Sequence, residues 1–345
     1  MMPTVLFIKG IRDDKTVKVI SLDNENIIFN VGGSSNIYNF IDNNRFQKAI
    51  ITLDSKLNSA INTMGCSVMF NQISDFDTYK ISLNKVSNML QQLGDKVICI
   101  NRPEYIQLTT RDSVSQLLQG IDKLTVPQTI RITPRSPADI LTAIDESELK
   151  FPLLIRESGR HGGDRTALLK SDEEVNNLFS FALDGRDFYL TAFHDFSEVT
   201  AATSPTTIED NNKVYKKCRL AVIDGKPYLR HLIISDKWMI HSNSRTYMDE
   251  NPAYKTEELN YLNDFHDKVE PLIQPIINAI HERIKLEYFG IDCNIREDGS
   301  ILLFEANATM NILLNNVAPP NIWQLPIESI KDAIIDMIAK RISAS

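Results

Sequence analysis

The segment at residues 288–308 constrains the fold of this chain more than any other. Two runs rich in alternating apolar and polar residues flank Asp298-Gly299, and an Asp-Gly pair in this setting predicts a tight β-hairpin turn. With this dipeptide as the turn, Glu297 pairs with Ser300, which sets the register of the two strands. The sequence therefore predicts an antiparallel ribbon with two chemically different faces.

One face of this ribbon is predicted to be apolar and the other polar. Because side chains alternate between faces, the core face collects Ile291, Cys293, Ile295, Leu302, Phe304 and Ala306. The register opposes Asp292 with Glu305, Gly290 with Asn307, and Asn294 with Leu303. The polar face thus presents two carboxylates directly across from each other, beside asparagine amides and a bare glycine backbone.

The opposed carboxylates of Asp292 and Glu305 need a compensating charge. Like charges directly opposite each other destabilise a sheet, and at roughly 5 Å the pair must share a proton or a cation. Two carboxylates and the amide oxygen of Asn307 suit a hard divalent ion such as Mg²⁺, with phosphate oxygens completing its coordination. A solvated hairpin face that binds no ion is the alternative that the spacing leaves open.

The first third of the chain is predicted to be an α/β layer. Short apolar runs predict strands at Thr4–Ile8, Val17–Ser21, Ala49–Leu53 and Lys96–Ile100. Apolar residues at helical spacing predict helices at Leu83–Leu93 and Asp112–Ile121. Strands that alternate with helices favour a layered α/β fold.

A glycine-containing unit follows a proline-rich boundary. The prolines from Pro127 onward indicate a change of domain near residue 126. A strand at Phe151–Arg156, a glycine-rich loop and a strand at Thr166–Leu169 come next. Ser171 and Glu174 then predict a capping box at the start of a helix.

The last part of the chain is predicted to combine a second sheet with long helices. The strands are predicted at Phe188–Phe193, Arg219–Ile223 and Tyr228–Ser235, and the helices at Thr256–Leu286 and Ile327–Ile342. Pro271 and Pro275 are expected to kink or split the first of these helices.

Composition and charge argue against several classes of protein. The net charge of −8 gives no overall basic footprint for nucleic acid. The four cysteines form no CxxC pair, which argues against a zinc ribbon and a disulfide scaffold. No apolar run reaches the roughly 18 residues that span a bilayer, and residues 1–8 lack the pattern of a secretory leader, so a cytoplasmic protein is predicted. No GxGxxG motif follows the first strand, which disfavours a Rossmann dehydrogenase.

The sequence of the hairpin resembles the metal-binding hairpin of the ATP-grasp superfamily. Phe289-Gly-Ile-Asp292 is followed, thirteen residues after its aspartate, by Glu305-Ala-Asn307-Ala, and the longer run 304–310 is similar to a bacterial subgroup. The resemblance is strongest to the ligases that include glutathione synthetase, D-alanine–D-alanine ligase and the ribosomal-protein glutamate ligase. It implies that Asp292, Glu305 and Asn307 hold two Mg²⁺ ions, or Mn²⁺, that bridge the phosphates of ATP.

The resemblance covers about residues 100–315 and implies a domain order. The expected fold is an α/β (α+β) ATP-grasp fold with an N-terminal α/β domain at 1–125, a small lid subdomain at 126–187 and a C-terminal mixed-sheet catalytic domain at 188–345. In the lid, Arg156 takes the place of the family's phosphate-binding lysine, a departure that keeps the positive charge.

The loop after Arg156 resembles the part of the lid that contacts the phosphates. Gly159, Gly162 and Gly163 would supply backbone amides to them, and His161 would add a side-chain contact. A lone histidine in a loop is more often plain solvated surface, so that reading of His161 stays open.

The strand that ends at Phe193 resembles the hinge whose backbone holds the adenine edge. This implies that Ala192 and Phe193 bind the cofactor. Asp195 follows where the family often places a ribose-contacting acid, although it equally suits the end of a strand. Lys216–Val222 resembles the strand whose arginine contacts the transferred phosphate.

That last match implies a catalytic role for Arg219, shared with Arg156, and a cofactor contact for Lys217. A surface salt bridge is the alternative for Arg219. Arg230 and His231 match a second basic position of the peptide-ligase members and are candidate substrate residues. The next loop contains Trp238, His241, Asn243 and Arg245, which would close over the acceptor. The alternative is a loop that is simply packed by its tryptophan.

The resemblance implies an ATP-dependent carboxylate–amine ligase that forms an amide or peptide bond through an acyl phosphate, releasing ADP and phosphate. The expected partners are small-molecule or peptide carboxylates and amines, and a homodimer is possible, with no nucleic acid and no membrane partner. A non-catalytic ATP-binding module and an ATP-grasp phosphotransferase are the alternatives. The phosphotransferase normally needs a phosphohistidine carrier domain, which the sequence does not contain.

Overall fold

The protein contains both helices and sheets. The structure describes residues 2–22, 27–30, 35–53, 66–160, 165–199, 213–308 and 310–345. The computed structural model contains a parallel sheet near the N-terminus, an antiparallel middle sheet, a large mixed sheet and a two-stranded ribbon. This confirms the mixed α/β class predicted from the sequence. His161, Gly162 and Gly163, which were predicted to bind phosphate, lie outside the described residues.

A four-stranded parallel sheet forms the N-terminal part. The elements here are β1 (Thr4–Gly10), β2 (Lys18–Leu22), β3 (Ile27–Asn30), β4 (Gln47–Leu53), β5 (Cys66–Asn71), β6 (Ile98–Ile100), α1 (Lys80–Leu93), α2 (Pro103–Ile106) and α3 (Arg111–Leu117). The strand order is β4-β1-β5-β6, and β1 begins with a continuous apolar run that is buried on both faces. The predicted strands and helices are confirmed with ends shifted by a few residues, and β5 adds a strand that was not predicted.

The middle sheet is antiparallel and carries two helices. Its elements are β8 (Thr129–Ile132), α4 (Pro137–Glu146), β9 (Leu153–Glu157), β10 (Thr166–Leu169), α5 (Asp172–Asn176) and β11 (Phe188–Ala192), with the strand order β10-β9-β11-β8. At the start of α5, Ser171 Oγ accepts from the Glu174 amide as predicted. The Glu174 carboxylate accepts from the amide of Lys170, one residue before the predicted donor.

The third and largest sheet contains six strands among the described residues. Its strands are β7 (Leu124–Thr125), β12 (Ser197–Val199), β13 (Lys213–Ile223), β14 (Lys226–Ser235), β15 (Tyr288–Ile295) and β16 (Ile301–Asn307). The order is β12-β13-β15-β16-β7, and β14 pairs with β13. The helices that accompany it are α6 (Arg245–Glu250), α7 (Pro252–Asp264), α8 (Glu270–Ile284) and α9 (Gln324–Ala344).

Each of the predicted domain boundaries, at 125/126 and 187/188, separates strands that pair with each other in the structure. β7 precedes the first boundary and pairs with β16 of the large sheet. β11 follows the second boundary and pairs with β8 and β9 of the middle sheet. The division into 1–125, 126–187 and 188–345 stays a prediction.

The hairpin of β15 and β16 has the predicted pairing at its functional end. Asp292 lies opposite Glu305, and Gly290 lies opposite Asn307. The predicted pairing of Glu297 with Ser300 is wrong, because the amide of Arg296 donates to the carbonyl of Ser300 and three residues, 297–299, form the turn. A bulge between the turn and Asp292 offsets this extra residue, so the two carboxylates still reach neighbouring positions of one sheet face.

A β-bulge changes the register nearer the turn. The pairing shifts by one residue after Asp292, so Asn294 lies opposite Leu302 and not opposite the predicted Leu303. Phe304 is the extra residue at this point, and it lines a cavity besides packing against the main buried cluster. A bulge re-aims the side chains beside it, which explains the difference.

Gly290 allows Met310 to pack closely against the hairpin. A Cβ atom at Gly290 would lie 2.6 Å from the Cβ of Met310 and 2.7 Å from its sulfur. Gly290→Ala is therefore expected to lower the free energy of unfolding by about 1–3 kcal/mol through overpacking, measured by chemical denaturation. The double variant with Met310→Gly is the control, because it removes both the Cβ and the sulfur that would clash. Losses that simply add in the double variant would contradict this packing.

The long helix predicted at Thr256–Leu286 is divided in two. A π-helical turn, Phe265–Val269, separates α7 from α8. Pro271 lies at the start of α8 and has no amide hydrogen, so regular helical hydrogen bonding cannot pass through this point. The predicted split is confirmed, whereas Pro275 lies inside α8 without ending it.

The last helix packs against the N-terminal sheet. Ile330, Ile334 and Ile338 of α9 belong to one buried cluster with Phe7 and Phe70 of the parallel sheet. The helix predicted at Ile327–Ile342 is confirmed, with both ends extended by a few residues. Among the described residues, no helix combines the length and the apolar character needed to cross a membrane.

Candidate active site

A cavity of about 400 Å³ lies between the middle sheet and the large sheet. β9 and β11 contribute to one side of its wall, and β13, β14 and β16 contribute to the other. The segment 238–245, which follows β14, completes the wall. Side chains from elements far apart in sequence therefore meet here.

One part of the cavity wall is aromatic and apolar. The rings of Phe196 and Phe304 have centroids 4.7 Å apart, and those of Phe193 and Trp238 have centroids 5.5 Å apart. Leu302 lies beside them in the wall. This part offers flat apolar surface of the kind that a planar ring can contact.

Asp292 is a buried carboxylate of the cavity wall with two cationic partners. Arg219 donates to both of its oxygens, from Nε at 2.7 Å and from Nη2 at 2.8 Å. Lys217 Nζ lies 3.2 Å from Oδ2. Burial would raise the pKa of Asp292, but the charges of Arg219 and Lys217 outweigh burial and hold this pKa well below its usual value. The carboxylate is therefore ionised at neutral pH.

Glu305 has a separate cationic partner. Arg111 Nη2 lies 2.7 Å from Glu305 Oε1, and Arg111 Nη1 donates to the carbonyl of Phe304 at 3.1 Å. Asp292 and Glu305 therefore each have a cationic side-chain partner, and their repulsion alone does not require a bound ion.

Arg156 differs from the other cations of the cavity. β9 alternates between buried and less buried residues, and Arg156 lies on the face that lines the cavity. No described residue accepts a hydrogen bond from its guanidinium. The pKa of Arg156 is lowered to about 9, mainly by burial and then by the charge of Arg111, while Glu305 opposes them. A cation in this setting is stabilised when an anion binds.

A smaller cavity of about 40 Å³ adjoins the first one. Arg111, Arg156 and Glu305 line both cavities, and Asn307 and Gly159 line the smaller one. Gly159 has a φ of +70°, and a Cβ atom there would lie 2.4 Å from Thr78 Cγ2. The start of the predicted lid loop thus lies directly against the N-terminal part of the chain.

The cavity brings together most of the residues predicted from the sequence. The predicted residues that line it are Arg156, Ala192, Phe193, Lys217, Arg219, His231, His241, Asp292 and Glu305. The adjoining cavity adds Gly159 and Asn307. Residues from three separate sequence motifs therefore share one continuous region, although their individual roles stay predictions.

The hinge backbone is less available than predicted. The amide of Ala192 donates to the carbonyl of Gln128 at 2.9 Å, and the amide of Phe193 donates to the carbonyl of Pro152 at 3.1 Å. Both N–H groups are therefore occupied, and a ligand would meet the side chain of Phe193 and the surface of the strand instead.

Two predicted residues lie outside both cavities on the surface. Asp195 is exposed, and its carboxylate accepts from the amide of Ser197 at 3.0 Å, which matches the alternative that it caps a strand end. Asn243 is exposed and does not line the cavity that contains His241.

Arg230 is a structural anchor in this conformation. It is 6% exposed and donates to the carbonyls of Ile312 and Leu314, at 2.7 Å and 3.1 Å. It lies outside both cavities, because neighbouring residues of a strand face opposite sides and His231 is the one that faces the cavity.

His231 and His241, two of the three histidines that line the cavity, are neutral. Burial lowers the pKa of His231 well below its usual value, and the nearby Arg219, Arg245 and Arg230 act in the same direction while Asp292 opposes them. Burial also lowers the pKa of His241, with Lys217 and Arg156 contributing. Neither ring therefore adds positive charge at neutral pH.

Sequence reasoning missed two cavity arginines. Arg111 was not among the predicted site residues, and Arg245 was predicted only as one residue of the loop that would close over the acceptor. Their roles depend on Glu305 and Glu258, which the fold brings close and which no local motif connects to them.

Comparisons with known proteins bear on the fold. A scan against protein-family models and a sequence search of curated proteins give no match. The structure is similar to D-alanyl-alanine synthetase A from Vibrio cholerae, at 13% identity and a TM-score of 0.55, over 99% of this chain and 98% of that one. The D-alanine–D-alanine ligase from Bacillus anthracis complexed with ATP matches at 14% identity and a TM-score of 0.51, over 98% and 96% of the two chains.

A third structure belongs to a different enzyme of the same fold. It is carboxyaminoimidazole ribonucleotide synthase from Aspergillus clavatus complexed with ATP, at 10% identity and a TM-score of 0.52, over 90% of this chain and 71% of that one. The chain has the ATP-grasp fold. At these identities the similarity concerns the architecture alone, and the predicted ATP-grasp fold is confirmed.

The ATP-grasp hairpin offers oxygen donors whose type suits a hard divalent ion. Asp292 and Glu305 are carboxylates, and Asn307 adds an amide oxygen on the same strand as Glu305. Among the described residues, no group of three or more histidine, cysteine, aspartate or glutamate side chains is arranged to hold a metal ion. An ion would have to replace Arg219, Lys217 and Arg111 as the counter-charge, so the Mg²⁺ or Mn²⁺ site stays a prediction.

Proposed function

We propose that the protein is an ATP-dependent carboxylate–amine ligase that forms an amide or peptide bond through an acyl phosphate and releases ADP and phosphate. One observation carries the proposal: the cavity combines an aromatic wall with the cations Arg156, Lys217 and Arg219. A nucleotide needs both features, since its base is apolar and its phosphates require fixed positive charge. Two of the similar structures are complexes with ATP, which supports the proposal.

The base of ATP would lie in the aromatic part of the cavity. Phe196 and Phe304 provide ring surface there, and Phe193 covers the neighbouring strand end. Because the amides of Ala192 and Phe193 are occupied, we expect stacking and apolar contact to contribute most of the binding energy of the base.

The phosphates would lie against the cations. Arg156 has hydrogen-bond donors that no described residue uses, and its planar guanidinium suits bidentate contact with a phosphate. Lys217 and Arg219 share their charge with Asp292, so they leave less net attraction for an incoming anion. Arg156 is therefore the side chain from which we expect the largest contribution to phosphate binding.

The reaction activates a carboxylate, which is otherwise a poor electrophile. A carboxylate oxygen attacks the terminal phosphorus of ATP, and the bond from that phosphorus to the ADP oxygen breaks. The amine then attacks the acyl carbon, loses a proton, and expels phosphate that retains the former carboxylate oxygen. Arg219 and Arg156 stabilise the charge on the transferring group by positioned hydrogen bonds.

A divalent ion, when bound by Asp292, Glu305 and Asn307, would neutralise charge on the phosphate oxygens. The reacting carboxylate of the organic substrate would enter the adjoining cavity, which shares Arg111 and Arg156 with the main cavity. A carboxylate that enters there would meet positive charge beside the phosphate end of the nucleotide. An amino acid, a peptide or a similar small metabolite is the expected substrate class.

The proposal is tested by ADP release from ATP and Mg²⁺ across a panel of amino acids and short peptides, with mass spectrometry of the products. We expect at least one carboxylate–amine pair to stimulate ADP release and to give an amide product. Lys255→Gln is the matched surface control and should leave the rate unchanged, since Lys255 pairs with Asp249 outside both cavities. ATP binding without stimulation by any pair would instead favour a non-catalytic ATP-binding module.

A further inference from the structure

Arg245 belongs to the cavity wall and has no assigned role in the chemistry above. It is the first residue of α6 and lines the main cavity together with His231. Its side chain is 26% exposed, whereas the carboxylate that holds it, Glu258, is 1% exposed. A partly open arginine is thus fixed by a fully buried partner.

Glu258 binds the guanidinium of Arg245 in a bidentate manner. Nη1 donates to Oε2 at 2.9 Å, and Nη2 donates to Oε1 at 3.1 Å. Burying a carboxylate is costly unless it is paired and hydrogen-bonded, and removal of one partner leaves an uncompensated charge. The pair therefore holds Arg245 in one orientation at the wall.

Trp323 fixes the same group from a third segment. Its indole Nε1–H donates to Glu258 Oε1 at 2.8 Å, and the guanidinium carbon of Arg245 lies 4.3 Å from the centre of its ring. α6, α7 and the segment before α9 thus converge on one arginine. Side chains held in this way are typical of binding groups whose geometry matters.

Glu258 neutralises the charge of Arg245, but a second arginine nearby leaves this region with net positive charge. Arg230 lies close by, 6% exposed, and its Nη1 has no hydrogen-bond partner among the described residues. Burial, and then the charges of Arg245 and Arg219, lower the pKa of Arg230 to about 10. His231 is neutral, so it neither adds to this charge nor offsets it.

Arg245 also retains donors that the fold does not use. A guanidinium has five N–H groups, and the contacts to Glu258 engage one on each terminal nitrogen. No described residue accepts from the others. These donors belong to a side chain that lines the cavity, which makes them available to a ligand.

We propose that Arg245 is a specificity-determining residue that binds an anionic group of the substrate other than the carboxylate that reacts, and that Glu258 is its positioning residue. The substrate class is therefore an amino acid or peptide with a second carboxylate. This inference rests on the proposed ligase function. Phosphates of ATP are the less favoured occupant, because Arg156, Lys217 and Arg219 already supply cations for them in the same cavity.

The test uses matched pairs of an acid and its amide in the ADP-release assay, for example glutamate with glutamine and aspartate with asparagine, free and within dipeptides. We expect a productive acid whose kcat/KM exceeds that of its amide at least tenfold. In Arg245→Gln this preference should fall to less than threefold, through a higher KM for the acid, while the KM for ATP stays within twofold. Arg245→Lys should restore part of the preference, and Lys255→Gln should retain all of it.

Glu258 is tested by the same assay. Glu258→Gln should raise the KM for the acid at least fivefold with little change in kcat, whereas Glu258→Asp should recover part of the loss. A merely structural role would lower kcat or raise the KM values of the acid and of its amide alike. Thermal denaturation and ATP affinity show whether each variant is folded.

Three results would overturn the inference. Equal use of acid and amide would do so while leaving the ligase function intact, as would an unchanged preference in Arg245→Gln. A rise in the KM for ATP alone would place Arg245 on the nucleotide. If no compound stimulates ADP release, the ligase proposal fails, and calorimetric titration of the same pairs then decides: tighter binding of the acids that Arg245→Gln removes supports the inference, and no such preference contradicts it.

Discussion

Arg156→Met is expected to weaken ATP binding roughly 10- to 150-fold, because a hydrogen bond to a charged group contributes about 1.5–3 kcal/mol. The same change should leave the free energy of unfolding unchanged or raise it by up to about 1 kcal/mol. The reason is that Arg156 lines the cavity with no described acceptor, and burial lowers its pKa to about 9. Calorimetric titration with ATP and chemical denaturation measure the two effects separately.

Arg156→Lys is the matched control for charge. It keeps a cation that can contact phosphate as a point charge, so ATP binding should stay within about tenfold of the unmodified protein. If the Arg156→Met variant binds ATP normally, the assignment of Arg156 to phosphate binding is contradicted. A variant that unfolds readily would show that the arginine stabilises the fold and is not reserved for a ligand.

Asp292→Asn is expected to lower the free energy of unfolding by about 3–5 kcal/mol, since breaking a buried ion pair leaves charge uncompensated. Arg219 and Lys217 would both lose their carboxylate. Chemical denaturation at neutral pH measures the loss. The added change Arg219→Met should recover part of the stability, because it removes one of the unpaired cations.

Asp249→Asn is the control for this experiment. Asp249 pairs with Lys255 at the surface, where an ion pair contributes little, so its loss should stay below about 1 kcal/mol. Similar losses for the two variants would contradict the claim that Asp292 is a buried, charged centre of the site.

The dependence of the free energy of unfolding on pH should change at acidic pH when Asp292 is replaced. Its pKa is lower in the folded protein than the value of about 3.9 expected in the unfolded chain, so its stabilising effect is fully present above that value. The effect is lost as the pH falls through the lower, folded pKa. Asp292→Asn should therefore show a shallower loss of stability below pH 4 than the unmodified protein.

Local sequence patterns were sufficient to predict the elements whose structure depends on residues that are close in sequence. The Asp-Gly turn and the alternation around it predicted the pairing of Asp292 with Glu305, which the structure has. The bulge after Asp292 was not predictable in this way, because an extra residue in one strand leaves no periodic signal on the other. The final helix, whose apolar spacing is regular, needed no tertiary information.

The charge balance of the site required the tertiary structure. Two opposed carboxylates predicted a bound ion, but Arg219 reaches Asp292 from a strand 73 residues away in sequence. Arg111 reaches Glu305 from helix α3 of the N-terminal part. Such pairs depend on how strands and helices are arranged in space. The spacing of residues within the hairpin gives no information about that arrangement.

The same limitation explains the predicted residues that lie elsewhere. Neighbouring residues of a strand face opposite sides, so the match of Arg230 and His231 to one basic position could not show which of them faces the cavity. Asp195 caps the turn into a short strand, a local role that a loose family match does not distinguish from ligand binding.

The central claim is that this cavity uses ATP to activate a carboxylate, and the origin of one oxygen atom tests it. The protein is incubated with ATP, Mg²⁺, amines and a pool of amino acids and dipeptides labelled with ¹⁸O in their carboxylates, and the released phosphate is analysed by mass spectrometry. The account predicts ADP together with phosphate that carries one ¹⁸O atom from the substrate. Unlabelled phosphate, or AMP with pyrophosphate, would contradict it.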